Sequence, residues 1–349
     1  MSIPPDSSAA PARGDIERSR RSALAYCGGM ALLVALAIVA ASSGHYPLSL
    51  SQIVAGLVHG FAADRSGATA ESVLWQIRLP RIALACLVGA GLSAAGAGFQ
   101  HLFRNPLVAP DTLGVSSGAA LGAVASIYAG AGAGLAAIAA FGGGLATVAL
   151  VMALAARIDT ADRLLTLVLI GVVMGSLLGA GVSLLKFVAD PYNQLPAITF
   201  WLMGSLAAAT WGQVAAAGIA IGVAFLLLNA LSWRIDLLAL PEDEARALGV
   251  QASRLRAVVV VAATVATAAS VAVCGIIGWV GLVVPHMARM VTGPRFARLL
   301  PVATLFGAIF MLAIDTLART ATAAELPPGV LTAFIGTPLF VALLARRSA

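Results

Sequence analysis

A run of acidic residues interrupts two long apolar stretches of the chain and is the segment best suited to meet another protein. Glu242, Asp243 and Glu244 are adjacent, and such a run must face water because hydrocarbon does not solvate carboxylates. Pro241 precedes the run and Gly249 follows it, which favours a short helix with negative charge in its first turn and a glycine at its end. The pattern predicts a water-facing helix that either contacts a partner or is an ordinary solvated loop.

Two arginines have the spacing of a carboxylate-binding pair. Arg78 and Arg81 are three residues apart, hence on one face of a helix. Exposed guanidinium groups suit the fork of a carboxylate, so the pair predicts docking of an acidic partner, and side chains that only reach the membrane interface are the alternative. Arg319 lies four residues after Asp315, so it can form an ion pair with that carboxylate.

The residues needed for catalysis or metal binding are missing from this sequence. It has no GxxxxGK[ST] phosphate-binding loop and no nucleophile with its base. His101 and His286 have no second histidine or carboxylate at ligand spacing. Cys27, Cys86 and Cys274 form no CxxC pair. We therefore expect no enzymatic activity, no metal site, no disulfide and no cofactor bound by this chain.

The composition is that of an integral membrane protein. Of 349 residues, 60% are hydrophobic and 10% are charged, and the mean hydropathy is +0.97, which exceeds what a soluble core requires. The 36 glycines favour closely packed helices over an outer-membrane barrel. The net charge of +6 comes from scattered basic residues, so no nucleic-acid partner is expected.

Apolar runs of about 20 residues each predict membrane-spanning helices. The ten predicted helices are at 23–41, 79–103, 113–128, 135–156, 164–188, 214–231, 255–274, 282–291, 300–317 and 330–344. Residues 282–291 are short for a span and contain Pro285, and 198–206 is expected to be a short interfacial helix.

Most of the 21 lysines and arginines then fall in loops on one side, which the positive-inside rule assigns to the cytoplasm. This gives a cytoplasmic tail at 1–22, a single transmembrane domain at 23–345 and a cytoplasmic tail at 346–349. The acidic run lies within a cytoplasmic loop at about 234–254.

Repeated glycines predict close helix packing. Glycines recur every fourth residue in three sets, which are Gly114, Gly118 and Gly122, then Gly171, Gly175 and Gly179, then Gly218 and Gly222. Such sets form grooves in which another backbone can lie. Residues 101–106 also echo residues 285–294, which indicates an inverted repeat or a chance similarity. The predicted fold class is an all-α polytopic membrane protein with about ten transmembrane helices and an inverted repeat.

Several motifs together resemble one transport family. The motifs are Arg78 to Arg81, Gln100 to Leu107, Leu113 to Ala119, Gly278 to His286, Asp315 to Arg319, Glu325 to Pro327 and Gly336 to Phe340. In order and spacing they are similar to the iron-chelate and vitamin B12 permease family of binding-protein-dependent ABC importers. The resemblance implies a homodimer in the bacterial cytoplasmic membrane, two cytoplasmic ATPase subunits that use ATP and Mg²⁺, and a periplasmic or surface substrate-binding protein.

The resemblance also implies roles for particular residues. The acidic run corresponds to the loop that couples the permease to its ATPase, with Glu242, Asp243, Glu244, Ala245, Arg246, Leu248 and Gly249 at the contact. Arg78, Arg81 and Arg319 correspond to arginines that dock the binding protein. The turn formed by Asp159, Thr160, Ala161 and Asp162 corresponds to the cytoplasmic gate.

The substrate class follows only from the resemblance. A ferric siderophore is the first choice, followed by haem, then cobalamin, with an oxyanion such as molybdate as an outside possibility. An ion-coupled secondary transporter is the competing class, since such carriers also use broken helices. They usually bury ionisable groups near the membrane midplane, where this sequence has none.

Overall fold

Helices form all the regular structure that the computed structural model describes, which is residues 13–44, 46–59, 69–158, 162–322 and 324–345. The helices are α1 Arg13–Ser42, α2 Leu50–His59, α3 Thr69–Ser72, α4 Leu79–Leu102, α5 Val115–Tyr128, α6 Ala133–Arg157, α7 Arg163–Val188, α8 Gln194–Met203, α9 Trp211–Ala230, α10 Ser232–Leu237, α11 Glu242–Ala247, α12 Ala252–Cys274, α13 Val280–Thr292, α14 Phe296–Thr320 and α15 Pro328–Ala345. A π-helical turn, Val73–Arg78, leads into α4, and a 3₁₀ turn, Pro110–Leu113, precedes α5.

The apolar helices match the predicted spans. Within the described ranges, seven helices are long and apolar enough to cross a membrane, and α5, α13 and α15 are shorter apolar helices. These ten correspond one to one with the ten predicted helices, so the all-α, multi-pass membrane fold is confirmed. The inverted repeat stays a prediction.

The helix ends differ from the prediction at several places. The first helix begins at Arg13 and therefore extends into the predicted tail, while residues 1–12 and the predicted tail at 346–349 lie outside the described residues. The short helix predicted at 198–206 is α8, Gln194–Met203, which begins four residues and ends three residues earlier; its interfacial position stays a prediction. Three short helices, α2, α3 and α10, were not predicted, because none is long enough to stand out as an apolar run.

Helix α4 lies at the centre of the bundle, and its small residues allow the neighbouring helices to approach closely. A Cβ atom on Gly89 would overlap the carbonyl of Gly307 in α14, and one on Gly96 would overlap Gly281 in α13. The Ser93 hydroxyl donates to the Ala303 carbonyl of α14 at 2.7 Å. Because van der Waals contact and buried hydrogen bonds drive helix association in a membrane, this backbone-to-backbone approach fixes α4 against α14.

The repeated glycines lie at such contacts in part. Gly118 and Gly122 pack against the α6 backbone at Gly143 and Ala139. Gly171 packs against the 3₁₀ turn before α5. Gly179 and Gly222, in contrast, have no atom within 4 Å of an added Cβ. The predicted grooves therefore exist in α5 and in the first half of α7.

A break in the backbone separates α12 from α13. Gly275 and Trp279 both have positive φ angles, of 74° and 69°, and Trp279 is not a glycine, so the surrounding packing must hold it there. The Ser205 amide donates to the Cys274 carbonyl at 2.8 Å. The helix that follows is 13 residues long and contains Pro285, as the sequence predicted for this segment.

Candidate functional site

A cluster of charged residues joins α4, α14 and the loop before α15. Arg81 donates from Nε to both carboxylate oxygens of Asp315, at 3.0 and 3.1 Å, and its Nη2 lies 2.9 Å from Oδ1. Its Nη1 donates to Oε1 of Glu325 at 3.0 Å. Asp315 is fully buried, so Arg81 neutralises a carboxylate that water does not reach. We call Arg78, Arg81, Asp315, Arg319 and Glu325 the arginine cluster.

The other two arginines of the cluster hold the end of α1. Arg78 donates to the carbonyls of Ala41 and Tyr46. Arg319 donates to the Ala40 carbonyl and, at 3.0 Å, to that of Ser43.

Gly44 lies against both guanidinium groups, since a Cβ there would be 3.1 Å from Arg78 Nη2 and 3.2 Å from Arg319 Nη1. The chain at this point has a φ of 135°, a conformation that glycine tolerates best. The close approach and the backbone angle both explain the glycine.

In the isolated chain these arginines are buried, so the expectation that they are exposed is wrong. Arg78, Arg81 and Arg319 are only 5%, 7% and 8% exposed. The ion pair that its spacing from Asp315 suggested for Arg319 is present, because its Nε lies 3.6 Å from Oδ2 of Asp315. Glu325, which the sequence marked only as part of a motif, is the exposed carboxylate of the cluster. Docking of a binding protein stays a prediction.

The acidic run forms a helix with the predicted start and end. Helix α11 begins at Glu242, directly after Pro241. Gly249 has a φ of 80°, and the Val250 amide donates to the Ala245 carbonyl at 2.9 Å, which is the arrangement of a Schellman end.

One side of α11 is anchored and the other faces outward. Ala245 is 1% exposed and Leu238 and Val250 are each 5% exposed. The predicted coupling residues other than Ala245 are all exposed, and these are Glu242, Asp243, Glu244, Arg246, Leu248 and Gly249.

Only weak ion pairs tie the acidic side chains to the protein. Glu242 lies 3.7 Å from Arg246 and 3.9 Å from Arg256. Pairs this exposed contribute about 0 to 1 kcal/mol each. The exposed side of α11 is therefore held by its backbone and its buried anchors, and its charges are available to a partner.

The predicted gate turn is only partly described. Asp159, Thr160 and Ala161 lie outside the described residues. The Asp162 carboxylate accepts hydrogen bonds from the amides of Leu164 and Leu165, both at 3.0 Å, so it caps α7. A role in gating stays a prediction.

An apolar cavity of about 770 Å³ opens beside the break between α12 and α13. Its wall is formed by α8, the break and α15, with Met203, Ile276, Trp279, Phe334 and Thr337 among the lining residues. The Phe334 side chain is 74% exposed. Discontinuous helices commonly mark substrate sites in transporters, and the volume is that of a small-molecule site.

The two histidines discussed above lie at separate places. His101 is 3.6 Å from Asp236, and His286 packs edge-on to Phe340 with ring centroids 6.3 Å apart. In the part of the chain that the structure describes, no group of three His, Cys, Asp or Glu side chains could hold a metal ion. The expected absence of a metal site stays a prediction.

Known proteins similar to this chain are transport permeases. The molybdate import system permease protein MolB of Haemophilus influenzae is 41% identical over 315 residues, which cover 90% of this chain and 93% of that protein. A protein of Helicobacter pylori named as an iron chelatin transport system permease is 39% identical and covers 90% and 95%. The cobalamin import system permease protein BtuC of Halobacterium salinarum is 42% identical and covers 80% and 75%.

A solved structure has the same fold. It is described as an inward-facing conformation of a metal-chelate type ABC transporter, it is 39% identical, and the match covers 92% of this chain and 98% of that chain with a TM-score of 0.84. The sequence pattern of the FecCD transport family matches residues 32–346. The chain therefore belongs to the FecCD transport family and is a multi-pass membrane permease.

Proposed function

We propose that this chain is the transmembrane subunit of an ABC importer that carries a metal chelate into the cytoplasm. It works as a homodimer in the bacterial inner membrane with both termini in the cytoplasm. Two cytoplasmic ATPase subunits bind ATP and Mg²⁺, and a periplasmic or surface protein delivers the substrate. Alternating access driven by ATP moves the substrate inward.

The observation that carries this proposal is the geometry of α11. An exposed acidic surface stands on the buried residues Leu238, Ala245 and Val250, so a force applied to α11 reaches the core of the bundle. Leu248 adds an apolar side chain that is 53% exposed. An anchored helix that presents carboxylates around an exposed apolar residue is suited to bind in the cleft of a soluble subunit.

The arginines at the end of α4 opposite the acidic run support docking of a substrate-binding protein. Arg78 and Arg81 lie at the start of α4, whereas the acidic segment lies beyond its other end. The cluster contains three guanidinium groups and two carboxylates, which leaves one positive charge for an acidic partner. Charge complementarity of this kind steers association and selects the partner.

Exposure of α7 supports the homodimer and the gate. In its most apolar stretch only 6% of residues are buried, so most of α7 is available to lipid or to a second copy. Residues 159–162, the predicted gate turn, directly precede α7 in the sequence. Two such turns facing each other across a dimer axis would close the inner end of the path.

The cavity beside Trp279 supports a chelate as substrate. Among the lining residues named above, only Trp279 and Thr337 have a hydrogen-bond donor in the side chain, and none carries a charge. A small oxyanion leaves water only for hydrogen-bond donors or cations, whereas a chelate presents an apolar organic surface. A ferric siderophore is thus the first choice, followed by haem and cobalamin, and molybdate, which the name of one relative specifies, is the least suited.

The test begins with purification of the tagged chain from its native membrane in mild detergent, followed by identification of the proteins that come with it. The proposal predicts an ATPase subunit in a one-to-one ratio. In liposomes, the rate of ATP hydrolysis should then rise on addition of binding protein loaded with ferric siderophore, more than with haem, cobalamin or molybdate. Stimulation by molybdate alone would contradict the chelate assignment and leave the importer assignment intact.

Buried charge in a spanning helix favours a second candidate, an ion-coupled carrier. Asp315 is fully buried in α14, and such groups often relay protons or ions. Its pairing with Arg81 argues for a fixed structural role. A chain that purifies alone and moves solute along an ion gradient in liposomes would establish the carrier instead.

A further inference from the structure

Asp236, in the last turn of α10, contacts both central helices at once. Its Oδ1 accepts a hydrogen bond from the backbone amide of Phe296 at 2.7 Å. The same oxygen lies 3.6 Å from Nε2 of His101. Phe296 is the first residue of α14 and His101 is in the last turn of α4. One carboxylate therefore joins α10, the helix before the acidic run, to the ends of two helices.

The contact with α14 replaces a cap that α14 does not provide for itself. The residue before the helix, Arg295, makes no side-chain capping hydrogen bond. The first amides of a helix need acceptors, and a carboxylate there is favoured by the helix dipole. Asp236 supplies the acceptor and the negative charge from a different element, so the start of α14 depends on the position of α10.

Helix α4 reaches the same segment through a second residue. Arg104, two residues beyond the end of α4, has a φ of 48°, which is uncommon for a residue with a side chain. From there its guanidinium group donates to the Leu238 carbonyl and, at 3.3 Å, to that of Leu240. These carbonyls lie between α10 and α11, so Arg104 fixes the chain just before the acidic run.

Apolar packing completes the junction. The His101 ring lies edge-on to Phe296, with centroids 5.2 Å apart. The buried residues in and around α10 and α11 belong to the same apolar cluster as residues at the ends of α4 and α14. The members of this cluster include Ile235, Leu238, Ala245, Val250, Leu102, Phe296 and Leu299. The segment is thus fixed to both helices by a carboxylate, a guanidinium group and a shared core.

These contacts lie at one end of a helix pair whose other end carries the arginine cluster. The two helices are joined at Gly89 and Gly307 and by the Ser93 hydroxyl. At the far end Arg81 of α4 pairs with Asp315 of α14. Twenty residues separate Arg81 from His101 along the chain, about 30 Å of helix.

We propose that Asp236 is a positioning residue of the coupling mechanism, which fixes α10, the helix that leads into α11, to the paired ends of α4 and α14. With this contact, movement of the ATPase displaces both helices together and reaches the arginine cluster. Without it, the chain around α10 bends and absorbs the movement. This inference rests on the proposed function for its transport consequence, but not for the contact itself.

The first test compares Asp236→Asn and Asp236→Ala in the complete complex with ATPase and loaded binding protein, in liposomes. Asn keeps an acceptor for the Phe296 amide and loses the charge, whereas Ala loses both. The ratio of stimulated to basal ATP hydrolysis should fall in the order wild type, Asn, Ala. For Ala we expect a fall of roughly tenfold, which corresponds to the loss of one charge-assisted hydrogen bond. The ATPase should still co-purify one to one.

Glu17→Gln is the matched control, because Glu17 is an exposed carboxylate whose partner among the described residues is Arg21 on α1. Its ratio should equal that of the wild type. A ratio unchanged in Asp236→Ala would overturn the proposal. So would equal losses of basal and stimulated rates together with loss of the ATPase, since that pattern indicates a role in folding alone.

A second measurement needs no partner protein. Spin labels at Leu248, directly after α11, and at Thr320, the last residue of α14, are both exposed. They report their separation in the purified chain after replacement of Cys27, Cys86 and Cys274. The distance distribution should be narrow in the wild type and in Glu17→Gln and broad in Asp236→Ala. Equal widths would overturn the positioning role. This measurement does not depend on an ATPase partner, and failure to find such a partner would count only against the proposed function.

Discussion

Removal of Arg81 should destabilise the protein far more than removal of an exposed arginine. In Arg81→Ala the Asp315 carboxylate, fully buried, loses the guanidinium group that holds both of its oxygens. Breaking a buried ion pair from one side costs about 3 to 5 kcal/mol. Arg319, with its Nε 3.6 Å from Asp315, remains to offset part of the loss, so we expect a decrease of about 3 kcal/mol in the free energy of unfolding.

The exposed pair of Arg21 and Glu17 provides the comparison. These side chains are 66% and 63% exposed and lie 2.5 Å apart. An exposed pair contributes about 0 to 1 kcal/mol, so Arg21→Ala should change the free energy of unfolding by less than about 1 kcal/mol. The exposed pair makes one contact within one helix, whereas Arg81 bonds both oxygens of a buried carboxylate on another helix, so burial and the number of hydrogen bonds both favour a larger effect of Arg81→Ala.

The assay is reversible unfolding in mixed detergent micelles, with the free energy compared at one fixed detergent composition. A double variant, Arg81→Leu with Asp315→Leu, removes both charges and should be more stable than Arg81→Leu alone, because no carboxylate is then left unpaired. Equal stabilities of Arg81→Ala and Arg21→Ala would refute this reasoning. A double variant no better than the single one would refute it as well.

Three further variants test other parts of the structure. Gly89→Ala should lower stability by about 1 to 3 kcal/mol by overpacking, measured in the same detergent assay against Gly222→Ala, whose Cβ meets open space. Arg78→Glu should weaken binding-protein affinity in surface plasmon resonance and leave ATPase association unchanged, and equal affinity would remove the docking role. Replacement of Glu242, Asp243 and Glu244 by alanine should abolish co-purification of the ATPase. Full transport activity in this triple variant would show that the three charges are only solvated.

The membrane-spanning helices and the ends of α11 could be read from the sequence because their causes are local. A run of apolar residues long enough to cross hydrocarbon has few other uses. Pro241 and Gly249 act on their own backbone, and the helix begins and ends beside them. Short helices such as α2 and α10 carry no comparable signal, since ten and six residues are too few to define a span.

The partners of the arginines could not be read from the sequence because they are distant and mostly backbone. Arg78 donates to carbonyls 37 and 32 residues before it, and a carbonyl has no residue type to recognise. Glu325 is 244 residues from Arg81. Asp236 was missed for a similar reason, because a single carboxylate near a basic residue is common in cytoplasmic loops and its contact with Phe296 depends on the fold.

Burial of the arginines places a condition on docking instead of excluding it. Arg78 and Arg319 are satisfied largely by neutral carbonyls at the end of α1. A carboxylate carries a full negative charge, which a carbonyl lacks, and it can accept two parallel hydrogen bonds from one guanidinium group, so an incoming carboxylate can displace a carbonyl acceptor. Docking through these residues would therefore require the chain around Gly44 to move away from them. A binding protein that docks while this segment stays in place would have to use Glu325 or another exposed residue of the rim.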